Sequence, residues 1–329
     1  MAGYVVGIDL GGTKIMSARV NLQGEVEAQV RELTLATEGS AAVIDRMVNT
    51  VERVLEGADP AGLLGVGVGA PGPLDPQTGV LYRPPNLPGW ERVPLRDILS
   101  ARLAVRLGRP VRVEAENDAN AAALGEFRFG VRKQHPNLRH MVYITVSTGI
   151  GGGLIADGRI FEGAHGMAAE IGHMTVDMHG PRCNCGNIGC IEAIAAGPAI
   201  ARQGGEIVAL GRGPLLSALA GGEPEAVTTQ MVEDAARAGD PDALALIERT
   251  GVALGVAVVN VLHLYNPEMV VIGGGVAKIG AMLFDPLLRT VEERAMPAFR
   301  RDAEIVPAAL GDFVGVLGAA ALVLQDHDL

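Results

Sequence analysis

Residues 4–20, Y-V-V-G-I-D-L-G-G-T-K-I-M-S-A-R-V, contain two apolar segments joined by a pair of glycines. The β-branched and other apolar residues on either side of the glycines predict two strands with a turn between them. The pattern returns at residues 141–156, where a predicted strand, a glycine-rich turn over 148–153 and a return strand over 154–156 follow one another. The repetition predicts an α/β protein of two domains related by an internal duplication.

We place the boundary between the predicted domains near residue 118, where a predicted strand over 111–116 gives way to a helix over 119–129. The smaller domain comprises residues 1–117 and 312–329, because the predicted helix over 313–324 is expected to fold back onto it. The larger domain comprises residues 118–311. It contains predicted helices over 229–238 and 241–264 and a short buried strand over 269–272.

The composition limits the classes of function. At 329 residues, 48% of them hydrophobic, the chain can build more than one core. The net charge of −11 repels phosphate backbones, so we expect no binding to nucleic acid. No signal peptide is visible, and the apolar run over 314–324 has 11 residues, too few to span a bilayer. We therefore expect a cytoplasmic protein that does not bind membranes.

The first glycine turn is a candidate phosphate loop. Gly11 and Gly12 let the backbone N–H groups approach a triphosphate closely. Thr13 adds a hydroxyl and Lys14 can add positive charge, while Asp9 at the strand end is placed to hold Mg²⁺ or its water shell. An ordinary hairpin turn is the alternative interpretation, and for two glycines alone it is the commoner one.

Two further glycine loops strengthen the prediction of a nucleotide site. Residues 147–153, S-T-G-I-G-G-G, contain four glycines, and G-G-G at 273–275 follows the predicted strand over 269–272. The third loop lacks the full dinucleotide-binding fingerprint, and the Walker A pattern is absent from the sequence. Three such loops after three strands predict ATP binding. The candidate contacts in these two loops are Thr148, Gly149, Gly273, Gly274 and Gly275.

A candidate general base lies in residues 114–120, E-A-E-N-D-A-N, at the predicted passage from strand to helix. Phosphoryl transfer to an alcohol needs a carboxylate that accepts the hydroxyl proton, and Asp118 suits that role. Asn117 beside it can donate and accept hydrogen bonds with sugar hydroxyls. The alternative is that Asp118 only caps the following helix.

The chain has three cysteines, all within an eight-residue segment, which argues against a disulfide framework and for a metal. Together with His173 they form the pattern H-x9-C-x-C-x4-C, a closed tetrahedral donor set for structural Zn²⁺. Buried free cysteines are the alternative, and His165 or His179 could replace His173. The predicted metal ligands are His173, Cys183, Cys185 and Cys190.

Two glutamates flank this segment. Glu170 precedes His173 by three residues and Glu192 follows Cys190 by two. Carboxylates can accept hydrogen bonds from pairs of sugar hydroxyls, so we predict that both contact a sugar. Solvated surface glutamates are the alternative interpretation.

The motifs resemble those of the ROK family (repressors, open reading frames and kinases), and in particular its bacterial glucokinases. The similarity extends over nearly the whole chain, and the run at 169–176, A-E-I-G-H-M-T-V, is close to the glucokinase form apart from Ala169, where the family usually has Gly. The other matching stretches are D-L-G-G-T-K at 9–14, G-A-P-G-P-L-D at 69–75, E-N-D-A-N-A-A-A-L-G-E at 116–126, V-S-T-G-I-G-G-G at 146–153 and C-N-C-G-N-I-G-C-I-E at 183–192.

The resemblance implies an actin-like ATPase fold, which is ribonuclease H-like and duplicated, with the active site in a cleft between two domains. It also implies transfer of the ATP γ-phosphate to the 6-hydroxyl of glucose with Asp118 as general base, and a homodimer or homotetramer. His173 would bind zinc through one ring nitrogen and face the sugar with the other. The implied sugar contacts are Gly72, Asn117, Asp118, Glu170, His173 and Glu192.

Three alternatives remain at this point. A kinase of the same family could act on fructose, mannose or an N-acetylhexosamine. A sugar-responsive repressor of the family would carry a DNA-binding segment before the first phosphate loop, whereas eight residues precede Asp9 in this sequence. An actin-like or chaperone-like ATPase would bind protein, which the zinc segment and its flanking glutamates disfavour.

Overall fold

A computed structural model describes residues 3–325 of the chain, which form two compact units. The first unit comprises residues up to Arg139, Gly153–Ala169 and the residues from Ala309 onward, and the second comprises His140–Gly152 and Glu170–Ala308. Residues 1, 2 and 326–329 of the predicted smaller domain lie outside the described residues. The domain boundaries that the sequence suggests stay a prediction.

Groups of strands and groups of helices follow one another along the described residues, as expected for an α/β protein. The strands are β1 (Tyr4–Leu10), β2 (Lys14–Asn21), β3 (Val26–Leu33), β4 (Leu63–Ala70), β5 (Leu74–Asp75), β6 (Val80–Tyr82), β7 (Arg92–Pro94), β8 (Val113–Asn117), β9 (Met141–Val146), β10 (Ile150–Ala156), β11 (Arg159–Ile160), β12 (Met269–Gly273) and β13 (Glu304–Pro307). The α-helices are α1 (Ser40–Leu55), α2 (Leu95–Leu107), α3 (Asp118–Gly125), α4 (Ile191–Ala195), α5 (Gly197–Ala209), α6 (Pro214–Leu219), α7 (Thr229–Arg237), α8 (Pro241–Tyr265), α9 (Ala281–Arg294), α10 (Pro297–Arg300) and α11 (Val314–Val323).

A five-stranded mixed sheet of order β3-β2-β1-β4-β8 forms the framework of the first unit. Strand β1 pairs antiparallel with β2 and parallel with β4, and β4 pairs parallel with β8. Apolar side chains of β1 and β4 join those of α1 and α2 in one buried cluster. A small sheet of order β5-β6-β7 completes the unit's strands before β8.

Glycines let α11 lie directly on this sheet. A side chain at Gly7 of β1 would overlap the carbonyl oxygen of Val316, and one at Gly67 of β4 would overlap that of Ala319. Helix α11 is buried along most of its length, which explains its nearly unbroken run of apolar residues. The close approach of helix backbone to strand backbone therefore depends on residues without Cβ atoms.

A second five-stranded sheet has the order β11-β10-β9-β12-β13. Here β9, β12 and β13 run parallel, as β1, β4 and β8 do in the first sheet. The two sheets thus share one order of connections, as an internal duplication predicts. Strand β10 begins at Ile150 and includes Gly151–Gly153, so the glycine turn is shorter than the predicted 148–153.

The helix predicted over 119–129 is interrupted. Helix α3 ends at Gly125, and a π-helical turn, Glu126–Gly130, follows it. The buried carboxylate of Glu126 accepts hydrogen bonds from the backbone N–H groups of Ala309 and Leu310, at 3.0 and 2.9 Å. The turn thereby ties the segment that precedes α11 to the end of α3. A residue 183 positions away along the chain supplies this contact, so the local sequence pattern could not reveal it.

Helix α8 is, among the described residues, the one helix long and apolar enough by composition to cross a membrane. In its most apolar window 56% of the residues are buried within the protein, as in the core helix of a soluble protein. Its length and hydropathy are therefore weak support for a membrane span.

Candidate active site

The first glycine loop is fixed by backbone contacts. The N–H of Gly11 donates to the carbonyl oxygen of Lys14 at 2.9 Å, closing the turn between β1 and β2. A Cβ atom on Gly12 would lie 2.7 Å from the carbonyl oxygen of Asn86, so only glycine fits there. The side chains of Thr13 and Lys14 are exposed at the tip of the loop, where a ligand can reach them.

Asp9 lies at the carboxyl end of β1, beside the start of α11. A Cβ atom on Gly315 would lie 2.6 Å from Cγ of Asp9, so the helix backbone packs closely against this carboxyl group. Burial raises the pKa of Asp9, and the positive charge of Lys14 opposes that shift. A cation bound beside Asp9 would favour its ionised form, as expected for a Mg²⁺-binding carboxylate.

Asn117 and Asp118 lie where β8 passes into α3. The side-chain oxygen of Asn117 accepts hydrogen bonds from the N–H groups of Ala119 and Asn120, at 2.9 and 3.3 Å, so Asn117 is the N-cap. The alternative that Asp118 caps the helix is therefore wrong. Asp118 is the first residue of α3, and its side chain is exposed and accepts from the N–H of Ala119 at 2.8 Å.

The turn after β4 lies beside the same residues. A Cβ atom on Gly72 would be 3.1 Å from the side-chain nitrogen of Asn117, and the peptide bond between Gly72 and Pro73 is cis. The predicted residues Gly72, Asn117 and Asp118 thus meet at one end of the first sheet. Capping occupies the side-chain oxygen of Asn117, which leaves its amide group as the donor that faces Gly72.

Two buried residues, Glu116 and Asn120, form hydrogen bonds beneath the surface at Asn117. The sequence interpretation assigned no role to either residue. Both side chains are buried, with 3% and 2% of their surface exposed. One oxygen of Glu116 accepts from the N–H of Asn117 at 2.8 Å and from the side-chain nitrogen of Asn120 at 3.2 Å. Burial raises the pKa of Glu116 to about 7, with the nearby Glu162 contributing and the two hydrogen bonds opposing. The available signal in the sequence was a polar residue inside each predicted element, since Glu116 ends the predicted strand over 111–116 and Asn120 lies in the predicted helix over 119–129.

The second and third glycine loops meet in the second unit. The N–H of Ser147 donates to the carbonyl oxygen of Gly149 at 2.8 Å, which forms a tight turn after β9. Gly274 has a φ of 90° and packs against the backbone of Val146. A Cβ atom on Gly275 would lie 3.8 Å from Oγ of Ser147. Backbone of both loops is therefore available to one ligand.

The predicted metal ligands come together in the second unit. The distance from Nδ1 of His173 to Sγ of Cys183 is 3.7 Å, and the distance between the Sγ atoms of Cys185 and Cys190 is also 3.7 Å. All four ligand atoms lie within 4.8 Å of one another. Zinc bonds of about 2.0–2.3 Å in a tetrahedron separate the ligands by about 3.5–3.8 Å, so the donor set fits Zn²⁺. Among the described residues His173, rather than His165 or His179, completes this cluster.

Glu170 precedes the short 3-10 helix Ile171–His173 that carries the histidine ligand. Its carbonyl oxygen accepts from the N–H of His173 at 3.1 Å, and its side chain is exposed. Ala169, immediately before it, has a φ of 65°, in the left-handed region that favours glycine. The family's usual glycine at this position, noted in the sequence, therefore has a structural basis.

Glu192 lies in the first turn of α4, whose N-cap is Cys190. Its Oε2 atom accepts a hydrogen bond from the N–H of Ile150 at 2.9 Å, at the end of the second glycine loop. Its Oε1 atom lies 4.0 Å from Sγ of Cys183. Glu192 is therefore not simply a solvated surface glutamate, because one of its carboxylate oxygens already accepts a hydrogen bond from the loop backbone.

The predicted site residues fall into two groups, one in each unit. The first unit gathers Asp9, Gly11, Gly12, Thr13, Lys14, Gly72, Asn117 and Asp118. The second unit gathers Thr148, Gly149, Glu170, His173, Cys183, Cys185, Cys190, Glu192, Gly273, Gly274 and Gly275.

Fold and site together define a class of protein: a duplicated α/β fold with glycine loops, a carboxylate after a strand and a Cys3His cluster. The family model described as "ROK family" matches residues 5–326. The chain belongs to the ROK family, and the predicted family and fold class are confirmed.

Named relatives include enzymes and a regulator. A glucokinase of Thermotoga maritima is 40% identical over 98% of this chain and 97% of its own length. The structure of a ROK family glucokinase from Streptomyces griseus in complex with glucose and AMPPNP has a TM-score of 0.80 and 31% identity, over 98% of this chain and 100% of that one. A xylose repressor of Caldicellulosiruptor bescii is 31% identical over 98% of this chain and 79% of its own length.

Proposed function

We propose that this protein is a glucokinase, an ATP:hexose 6-phosphotransferase that converts glucose to glucose 6-phosphate. The observation that carries the proposal is the corner at the end of β8, where Asn117 caps α3 and Asp118 presents an exposed carboxylate. The named enzymes among the relatives support the substrate, since one of them was crystallised with glucose and an ATP analogue.

In the proposed reaction, the 6-hydroxyl oxygen of glucose attacks the γ-phosphorus of ATP while Asp118 accepts the hydroxyl proton. The bond between the γ-phosphorus and the bridging oxygen breaks, and ADP leaves. A positioned general base contributes about 10²–10⁴-fold to the rate. Asn117, held by its capping bonds, positions the backbone at Asp118 and offers its amide group to a sugar hydroxyl.

ATP binding is assigned to the three glycine loops. The loop from Gly11 to Lys14 and the loop containing Thr148 and Gly149 would contact the phosphates, and the loop at 273–275 would contact the adenosine. Mg²⁺ neutralises phosphate charge when bound, and Asp9 would hold it directly or through water.

The sugar contacts are assigned to Gly72, Asn117, Asp118, Glu170, His173 and Glu192. The Cys3His cluster would hold structural Zn²⁺, because four protein ligands leave no position open for a reacting water. His173 would bind the ion through Nδ1, the atom that lies in the cluster. We further propose a cytoplasmic homodimer or homotetramer that binds neither membrane nor nucleic acid.

The test is ADP release from Mg-ATP with glucose, mannose, fructose, N-acetylglucosamine or no sugar. We expect release with glucose to exceed release with the other sugars. Greater release with another sugar would move the specificity to one of the alternative kinases. Sugar-independent release would contradict the kinase proposal and favour the actin-like or chaperone-like ATPase. No release from zinc-loaded protein would also contradict it and would favour a regulator such as the repressor among the relatives.

The role of Asp118 is tested by Asp118→Asn. We expect kcat to fall about 10²–10⁴-fold while calorimetry still detects glucose binding. Asp97→Asn is the matched control, since Asp97 is an exposed aspartate in the first turn of α2. A near-normal rate for Asp118→Asn would show that another group accepts the proton.

A further inference from the structure

The carboxylate of Glu192 contacts both the second glycine loop and the metal cluster. Oε2 accepts the N–H of Ile150 at 2.9 Å, and Oε1 lies 4.0 Å from Sγ of Cys183. The side chain is partly buried between these two groups. A residue that only bound sugar would not need a bond to the loop backbone.

The loop is shaped to receive this carboxylate. A Cβ atom on Gly149 would lie 2.7 Å from Oε2 of Glu192, so the carboxylate occupies the space that a side chain at 149 would need. The bond to Ile150 N–H fixes the orientation of the Gly149–Ile150 peptide group. In a glycine-rich loop this constraint matters, because glycine itself imposes little on φ and ψ.

The metal cluster fixes the other end of the contact. Cys190 is the N-cap of α4 and Glu192 lies in its first turn, so a metal that holds the Cys190 thiolate also holds the start of this helix. Gly172, which immediately precedes His173, packs directly on the carbonyl oxygen of Ile150. The loop therefore touches the segments that carry two of the metal ligands.

A third contact closes the loop. The N–H of Gly197 donates a hydrogen bond to the carbonyl oxygen of Ser147 at 2.7 Å. The hydroxyl of Thr229 donates to the carbonyl oxygen of Gly197, also at 2.7 Å. Helix α5 thus holds the start of the loop, and Glu192 holds its end. Loss of Glu192 would release the end nearest to β10.

We propose that Glu192 is a positioning residue that ties the second glycine loop to the Cys3His cluster, so that the carboxylate and the metal together set the affinity for the nucleoside triphosphate. The inference rests on the proposed function, because it assumes that this loop binds phosphate. It adds a nucleotide effect to a residue that the proposed function assigns to the sugar.

Two substitutions separate the roles. Glu192→Gln keeps an oxygen that can accept the N–H of Ile150, whereas Glu192→Ala removes it. For Glu192→Ala we expect nucleotide binding about tenfold weaker, the usual effect of losing a hydrogen bond to a charged group. For Glu192→Gln we expect the affinity for nucleotide to stay within about threefold of the unmodified protein, while KM for glucose still rises because the charged acceptor is gone.

The measurement is calorimetric titration of AMPPNP with Mg²⁺, without sugar, into the zinc-loaded full chain. Asp177→Asn is the matched control, because Asp177 is an exposed carboxylate on the metal-bearing segment whose side chain accepts the N–H of His179. Zinc content and the thermal-unfolding midpoint are measured for every variant. Equal affinities for Glu192→Ala, Glu192→Gln and Asp177→Asn would overturn the proposal.

Metal removal tests the same link without a substitution, in case Glu192→Ala does not fold. Zinc is removed from the unmodified protein by a chelator, the chelator is removed by gel filtration, and Mg²⁺ is added back before titration. We expect weaker AMPPNP binding that recovers when zinc is restored. Unchanged binding by folded, zinc-free protein would contradict the proposal. If the unmodified zinc-loaded protein binds no AMPPNP and releases no ADP, the proposed function fails rather than this inference alone.

Discussion

The glycine loops of the two units follow the same pattern after a buried strand but are held by different contacts. In the first unit, the carbonyl oxygens of Gly11 and Thr13 accept the hydroxyl and the N–H of Thr34, at 2.6 and 2.8 Å. In the second unit, the carboxylate of Glu192 holds the end of the loop at Ile150. The first loop is held through its carbonyl oxygens by a neutral residue, Thr34, whereas the second is held through an N–H by a carboxylate next to the Cys3His cluster.

The two glycine loops of this duplicated fold therefore have different structural supports. The first loop is supported by its own sheet and by α11, which packs on β1 and β4 through Gly7 and Gly67. The second loop is supported by the segment that carries the predicted metal ligands. A change in metal content should therefore affect the two loops unequally.

Metal removal should have the largest effect and should separate the loops. Structural zinc contributes on the order of 10 kcal/mol to the folding of small zinc-binding peptides, so its loss should loosen the segment from His173 to Glu192. We expect hydrogen exchange to become at least about tenfold faster over residues 146–152 and to stay unchanged over residues 7–16. Mass spectrometry of peptides from zinc-loaded and zinc-free protein measures both at once. Equal changes in both loops would show that they share their support.

The buried carboxyl group of Glu116, one of several in the first unit, predicts a pH effect. Burial first of all, with Glu162 contributing, raises the pKa of Glu116 to about 7 from an ordinary value of 4.5. Between these values the unfolded chain loses its proton while the folded chain keeps it. Stability from this group is therefore fully present below pH 4.5 and is lost as the pH rises to about 7. The expected loss is on the order of 3 kcal/mol.

Glu116→Gln removes the titration and keeps the shape. We expect the variant to lose less stability between pH 5 and pH 8 than the unmodified protein, as measured by denaturant unfolding at each pH. Glu114→Gln, two residues earlier on β8 and paired with Arg112 near the surface, is the matched control. If Glu116→Gln and the unmodified protein show the same pH profile, Glu116 is ionised throughout that range.

Much of the fold follows from local pattern. Strands β1 and β2 lie where the residues around the first glycine pair predict two strands, and α8 extends the predicted 241–264 by one residue. The capping residues Asp240 and Asn266 bound this helix. The cysteine spacing likewise predicts that His173, Cys183, Cys185 and Cys190 come together in one cluster. The sequence interpretation does not include helix α5, since its interior contains two adjacent glycines and its buried face is built partly from glycine and alanine.

The parts that the sequence could not supply depend on distant contacts. Glu126 bonds to the backbone of Ala309 and Leu310, and Glu192 bonds to Ile150, 42 positions away. The residues next to Glu192 in sequence do not indicate that its carboxylate, predicted to contact a sugar, also binds the backbone of the second glycine loop. The burial of Glu116 is a further example, because the nearby residues Glu114, Asn117 and Asp118 are polar and give no sign of it.

Steric fit in the first unit can be tested at two glycines of β4. A side chain at Gly67 would overlap the carbonyl oxygen of Ala319, whereas a Cβ atom on Gly69 would meet its nearest atom, Cβ of Ala121, at an ordinary 3.5 Å. We expect Gly67→Ala to lower the free energy of unfolding by about 1–3 kcal/mol and Gly69→Ala to change it much less. Denaturant unfolding measures both. Equal losses would mean that contact with α11 does not make Gly67 more restrictive than Gly69.

The smallest expected effect concerns the backbone just before the metal-bearing segment. Ala169 has a φ of 65°, where an alanine costs about 1–2 kcal/mol relative to glycine, while glycine loses about 0.4–1 kcal/mol more entropy on folding. Ala169→Gly should therefore stabilise the protein by up to about 1 kcal/mol. Ala168→Gly should destabilise it, since Ala168 has no positive φ to relieve. Unfolding curves of the two variants distinguish these outcomes. If both variants are destabilised to the same extent, the positive φ of Ala169 stores no strain that glycine can relieve.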